Sequence, residues 1–208
     1  MLAVGHKSTS LAIVLGYCVN NQTLNIQHIP SGCALVEATI LGSILPDIDT
    51  KNSQISQLIK VPCYKMFKHR NQTHGLIAWL LVSGVLYFIL NRFFNFSQLN
   101  TPTISVSYNI WLGLTLGYLL HLIEDSFSSA GIRWFAPISQ YDTWAYQNHG
   151  VFLRKVYRFK DVGSSKKVPI RHWWGRGYTV GGSFEVFVTV MAQVAIFYFF
   201  IKWLFLLF

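Results

Sequence analysis

The feature that most restricts the fold is the run at residues 184–208, "FEVFVTVMAQVAIFYFFIKWLFLLF". It carries two charged residues, Glu185 near its start and Lys202 near its end. About 20 apolar residues in a helix cross the ~30 Å hydrocarbon layer of a bilayer. Inside that layer no water can satisfy backbone N–H and C=O groups, so a single span must be helical. A second run, residues 76–94, "LIAWLLVSGVLYFILNRFF", meets the same condition. Three further apolar stretches are shorter: residues 8–19, 33–45 and 110–123. The pattern predicts five helical segments, of which the first two have the weakest signal.

Composition supports the same class. Charged residues make up only 12% of the 208 and aromatic residues 16%, whereas soluble domains carry about 25% charged residues. The expected fold is therefore all-α, an integral membrane bundle of four to five hydrophobic helices. Three domains of unequal character are expected: a membrane-embedded core at 1–140, a basic aromatic loop at 141–183, and a C-terminal transmembrane helix at 184–208. The N-terminus lacks the basic-then-apolar order of a cleaved signal and is expected to be retained. Cys18, Cys33 and Cys63 form no CxxC, so neither a disulfide framework nor a thiolate zinc site is indicated.

The net charge of +9 is unevenly distributed. Lys51, Lys60, Lys65, Lys68 and Arg70 fall between the second and third segments, and nine Lys and Arg residues lie between the fourth and fifth. The loop at 95–109 has none. Lysine and arginine mark cytoplasmic loops, which places 46–75, 124–183 and the N-terminus on the cytoplasmic side. The long loop mixes cations with aromatic rings, "FLRKVYRFK" and "IRHWWGRGY", a composition suited to anionic lipid headgroups. Membrane lipids are the expected partners, and no recognised nucleic-acid-binding module accompanies the charge.

Five of the eight acidic residues, Glu37, Asp47, Asp49, Glu124 and Asp125, lie within or at the ends of apolar segments. Ionisable groups are costly there and mark function. His121 precedes Asp125 by four residues, a spacing that puts both on one helix face. In "HRNQTH", Thr73 is expected to cap the following helix, leaving His69 and His74 near its start. Pro46 should end the second segment, after which an extended Asp47-Ile48-Asp49 would turn both carboxylates to one side. The inferred topology gathers His6, Asp47, Asp49, His69, His74, His121 and Asp125 at one membrane face. Imidazole and carboxylate are standard ligands of zinc and related divalent ions, and this set has enough donors for one or two. Zinc is the expected cofactor, with manganese or another divalent ion as the alternative. Asp47 and Asp49 are also candidate general bases, and Arg70 is the cation best placed for developing negative charge. His28 falls in the expected outer loop, and His149 and His172 lie in the long basic loop with no motif around them, so none of the three joins the set.

The motifs "GH" at 5–6, "GSILPDID", "HRNQTH" and "GYLLHLIEDSFSSAGIRWFAP" resemble, in order and over residues 1–140, those of the YdjM-like family. Members of that family are described as LexA-regulated, membrane-bound, metal-dependent hydrolases. Asn71, Gly75 and Ser128 depart from the usual glycine, serine and threonine of the motifs, and no metal donor is lost. The resemblance implies a His/Asp metal site formed by His6, Asp47, Asp49, His69, His74, His121 and Asp125 in the bacterial inner membrane. Distant relatedness to zinc-dependent phospholipase C and P1-type nucleases suggests a phosphoester or lipid-like substrate. Two other readings use the same residues: metal transport, or a non-catalytic stress-response protein held together by metal.

Overall fold

The computed structural model describes residues 2–22, 24, 29–60, 73–96, 102–128, 132, 134–135, 145–147, 170–172, 175–176 and 180–207. His69 and Arg70 lie outside these residues, as do His28 and His149. The chain is a helical membrane bundle. Its long helices are α1 (Ala3–Asn20), α2 (Ile29–Gly42), α4 (Leu76–Phe94), α5 (Pro102–Ser126) and α6 (Ser183–Leu207), with a short α3 (Gln54–Ile59) in the first basic loop. Among the described residues, four stretches are long and apolar enough to span a bilayer: Ile29–Asp49, Leu76–Phe94, Val106–Ser126 and Ser183–Leu207. The segment expected at 110–123 is the apolar half of a longer helix. Polar residues such as Ser107 and Asn109 continue α5 without contributing to the hydropathy signal.

The heart of the bundle is the crossing of α2 and α5, the most extensive helix contact. Small residues allow it. A Cβ added at Gly117 would lie 2.1 Å from the Thr39 carbonyl oxygen, and one at Gly42 would lie 2.3 Å from the Leu114 carbonyl oxygen. Lipid is as apolar as any side chain, so helices in a membrane associate through such close packing and not through burial from water. The α4 helix is strapped to α5 by two indoles. Trp79 Nε1–H donates to the Thr115 carbonyl at 2.8 Å, and Trp111 Nε1–H to the Ser83 carbonyl at 2.9 Å.

Helix α6 packs mainly on α1, and Glu185 ties the two together at one end by accepting from the backbone N–H groups of Leu2 and Gly181. At the other end Trp203 Nε1–H donates to the Leu24 carbonyl at 2.9 Å. The outer faces of α4 and α6 expose Phe88, Phe93, Phe197 and Phe205, the arrangement expected of lipid-facing helices. Within the long basic loop, β1 (Ala145–Gln147), β2 (Ile170–His172) and β3 (Gly175–Arg176) form a small antiparallel sheet in that order, with Tyr146 opposite Arg171 and Arg171 opposite Arg176.

Between α2 and α3 the chain does not extend. Leu45–Asp49 is a turn of 3-10 helix with Pro46 at its start, where the missing N–H costs nothing. At three residues per turn, positions two apart diverge, so the two carboxylates do not share a side. Asp49 is buried, whereas Asp47 keeps 21% of its side-chain surface. Thr73 also departs from expectation. Gly75 occupies the N-cap of α4 without a side-chain bond, and the Leu76 N–H donates to the Trp134 carbonyl at 2.7 Å. The Thr73 hydroxyl is engaged with Asp49 instead.

Candidate metal centre

One end of the bundle collects acceptor atoms from four parts of the chain. The first turns of α1 supply His6, the 3-10 turn supplies Asp47 and Asp49, the residues before α4 supply His74, and the last turns of α5 supply His121 and Asp125. Two overlapping groups could hold an ion: His6, His121 and Asp125, and Asp47, His74 and His121. His69 lies outside the described residues, so its expected place in the set is not drawn.

Each imidazole is fixed by a second partner. His121 Nδ1–H donates to the Ser43 carbonyl at 2.7 Å, which leaves Nε2 as a lone pair pointing into the cluster. His74 Nδ1–H lies 3.0 Å from the Thr73 hydroxyl, which in turn donates to Asp49. His6 Nδ1 bonds the Glu124 carboxylate, and the other Glu124 oxygen accepts from Thr9. Metal-ligating histidines commonly have such a carboxylate or carbonyl on the ring nitrogen remote from the metal.

The inward-facing atoms then crowd together. His121 Nε2 lies 3.3 Å from His74 Nε2 and 3.8 Å from Asp47 Oδ1. His74 Nε2 is 3.5 Å from Asp47 Oδ1. Asp125 Oδ2 sits 3.8 Å from His121 Nε2 and 3.9 Å from His74 Nε2, while its Oδ1 is 3.4 Å from His6 Nε2. Four ligands around a tetrahedral zinc at 2.0–2.1 Å are about 3.3 Å apart, and the ligand atoms of each triad lie within 4.8 Å of one another, so small side-chain shifts close either triad onto an ion. His6 Nε2 is fully buried and, apart from the Asp125 oxygen at 3.4 Å, meets no hydrogen-bonding group among the described residues, an arrangement costly for a polar atom unless something else satisfies it. These observations fit a divalent cation.

Electrostatics agree. His6, His74 and His121 are fully buried, as is most of Asp125. Burial opposes the imidazolium of His74, but hydrogen bonds to Asp47 and Asp49, reinforced by the Asp125 charge, outweigh it and raise the pKa to about 9. Without a metal, a proton balances the converging carboxylates.

Sequence reasoning passed over two elements of this arrangement. Glu124 was noted as an out-of-place acid but not as a partner, although its position beside Asp125 put it on the same helix end. The Ser43 carbonyl carries no side-chain signal at all.

The sequence profile of the family described as "YdjM inner membrane protein" matches residues 1–206. This chain belongs to that family. The inner membrane protein YdjM of Escherichia coli (strain K12) is 29% identical over 141 residues, which cover 66% of this chain and 66% of that protein. YdjM of Shigella flexneri is similar to the same extent. The alignment thus takes in about two thirds of the length of these curated relatives. No solved structure matches. Family membership and the four apolar helices agree on an integral membrane protein of the inner-membrane type.

Proposed function

We propose that this chain is a membrane-bound, metal-dependent hydrolase that acts on a phosphoester, preferably lipid-like, substrate at the cytoplasmic face. The observation that carries the proposal is the asymmetry of the cluster. Among the described donors, three histidines and Asp125 are sealed in, while Asp47 keeps an exposed edge. Structural zinc sites are closed on all sides; catalytic ones keep one position open. A bound zinc or other divalent ion would supply Lewis acidity and make water nucleophilic near neutral pH.

The chain's own groups divide the remaining work. Asp49, buried against Thr73 and His74, orients the His74 ring. Asp47 turns Oδ1 to the cluster but keeps an exposed edge, and is the carboxylate able to take a proton from incoming water. Arg70 and the aromatic basic loop are proposed to hold a phosphoryl oxygen and a lipid headgroup. The cytoplasmic placement rests on the basic loops that adjoin this end of the bundle. The resemblance also carries control by LexA, which a rise in transcript after DNA damage would support.

The test is metal analysis of purified protein together with a panel of phosphoesters and phospholipids. Activity should fall with chelator and in His74→Ala and His121→Ala. Full activity in those variants would end the proposal. A metal-binding protein without catalysis is the competing reading, favoured by the complete burial of His6 and His121. It predicts bound metal with no turnover on any ester, and metal flux into proteoliposomes if the role is transport.

A further inference from the structure

Glu37 is exposed on the outer face of α2, inside the span Ile29–Asp49. Helical rise puts it about 12 Å from one end of that span and 18 Å from the other. It makes no hydrogen bond or ion pair among the described residues, unlike the other acids of the bundle. An ionisable group at mid-depth of a membrane faces a protein partner or a water-filled cavity, not lipid. Its side chain is also too short to reach the headgroups from that depth.

We propose that the α2 face bearing Glu37 is a homodimer interface, with two copies of this chain packed α2 against α2 about a two-fold axis. Symmetry makes this occupant the natural one. A second copy presents a carboxyl at the same depth in the same membrane, and a protonated carboxyl both donates and accepts, so two of them can satisfy each other. The rest of the face fits a helix seam. Pro30, Cys33, Glu37 and Leu41 are the exposed residues of α2, and Ala34 is half-buried beside them. Pro30, Ala34, Glu37 and Leu41 follow the alternating four-three spacing of a two-helix seam. Small side chains at 33 and 34 permit close approach. The opposite face of α2, with Leu35, Ala38, Thr39 and Gly42, is already committed to α5 and the bundle core.

Cys33 lies one turn from Glu37 on the same face and provides the readout. Cys18 is buried, so the full-length chain carrying Cys63→Ser leaves Cys33 as the reactive thiol. Oxidation with copper phenanthroline in native membranes should give a disulfide-linked dimer in Cys63→Ser and none in Cys63→Ser/Cys33→Ser. Analytical ultracentrifugation in detergent should show a dimer for the wild type. Glu37→Leu should weaken dimerisation by roughly 5- to 30-fold, equivalent to about 1–2 kcal/mol of interhelical hydrogen bonding. Glu37→Gln, whose amide can also donate and accept, should retain most of it. Absence of the Cys33-dependent dimer, or undiminished dimer in Glu37→Leu, overturns the proposal. Because position 37 is exposed in the single chain, Glu37→Leu should keep the helix content of the wild type by circular dichroism, which serves as the check that the variant is folded.

Discussion

Replacing Gly117 by alanine would push a methyl group into the backbone of α2. The new Cβ would meet the Thr39 carbonyl oxygen at 2.1 Å and the Ser43 nitrogen at 2.7 Å, where ordinary contact begins at 3.4 Å. These are main-chain atoms within or next to a helix and cannot rotate away. The helices must separate by roughly 1.3 Å at this level, a gap that forfeits about half of the dispersion energy across the affected contacts. Alanine favours a helix over glycine by up to about 1 kcal/mol, whereas overpacking costs about 1–3 kcal/mol and more when backbone is struck. The clash wins, and a net loss of about 1–2 kcal/mol is expected. The same displacement reaches the candidate metal centre. Ser43 holds His121 Nδ1 through its carbonyl at 2.7 Å. Separation would lengthen that bond to roughly 4 Å, beyond hydrogen-bonding range. Loss of an outer partner of a ligating histidine lowers metal affinity about 10- to 100-fold. Thermal unfolding in detergent and titration with a competing chelator would measure both effects. Gly84→Ala is the control, since a Cβ there meets nothing within 4 Å, and it should be neutral or slightly stabilising. Wild-type unfolding temperature and wild-type chelator resistance in Gly117→Ala would refute the link between seam and site.

Further outcomes are expected. Glu124→Gln removes the carboxylate from His6 Nδ1 and should weaken metal binding about 10- to 100-fold with little change in helix content, read by chelator competition and circular dichroism; unchanged affinity would place His6 outside the coordination set. In chelator-stripped protein, His74 has a folded pKa of about 9 against an ordinary 6.5. The raised value means that its stabilising contribution is complete below about pH 6.5 and is lost as pH rises through about 9. Unfolding temperature of the stripped protein should therefore fall across that window, and metal affinity should rise, because binding displaces the proton; a flat profile for both would contradict the charge balance described above. Trp79→Phe deletes the indole bond to the Thr115 carbonyl and should cost about 0.5–1.5 kcal/mol, visible in thermal unfolding without loss of metal. Asp49→Asn should reduce metal retention less than Asp47→Asn if Asp49 orients His74 while Asp47 faces the ion, and the reverse order would exchange their roles.

Much of the architecture was legible in the chain because hydrocarbon imposes a strong rule on sequence. Residues 184–208 and 76–94 had to be helices, and α6 and α4 are those helices. The basic loops gave the alternation that brings His6, Asp47, His74, His121 and Asp125 to one end, and their i, i+4 relation placed His121 and Asp125 on one face. Local conformation was less legible. Whether Asp47-Ile48-Asp49 would extend or coil depended on how the chain after Pro46 packs beside α5. The absence of a Thr73 cap likewise follows from Asp49, a residue far away in sequence that binds the same hydroxyl more strongly.

The sequence by itself determined that the chain spans a membrane with helices and carries its acids and histidines toward one side, because the cost of unsatisfied backbone and buried charge acts on each segment separately. Only the tertiary structure decided which atoms converge. The α2–α5 seam set the position of the Ser43 carbonyl against His121, and the crowding of the cluster left His6 Nε2 buried 3.4 Å from Asp125 Oδ1. Those are distances between segments, fixed by how closely Gly42, Gly113 and Gly117 let two backbones approach.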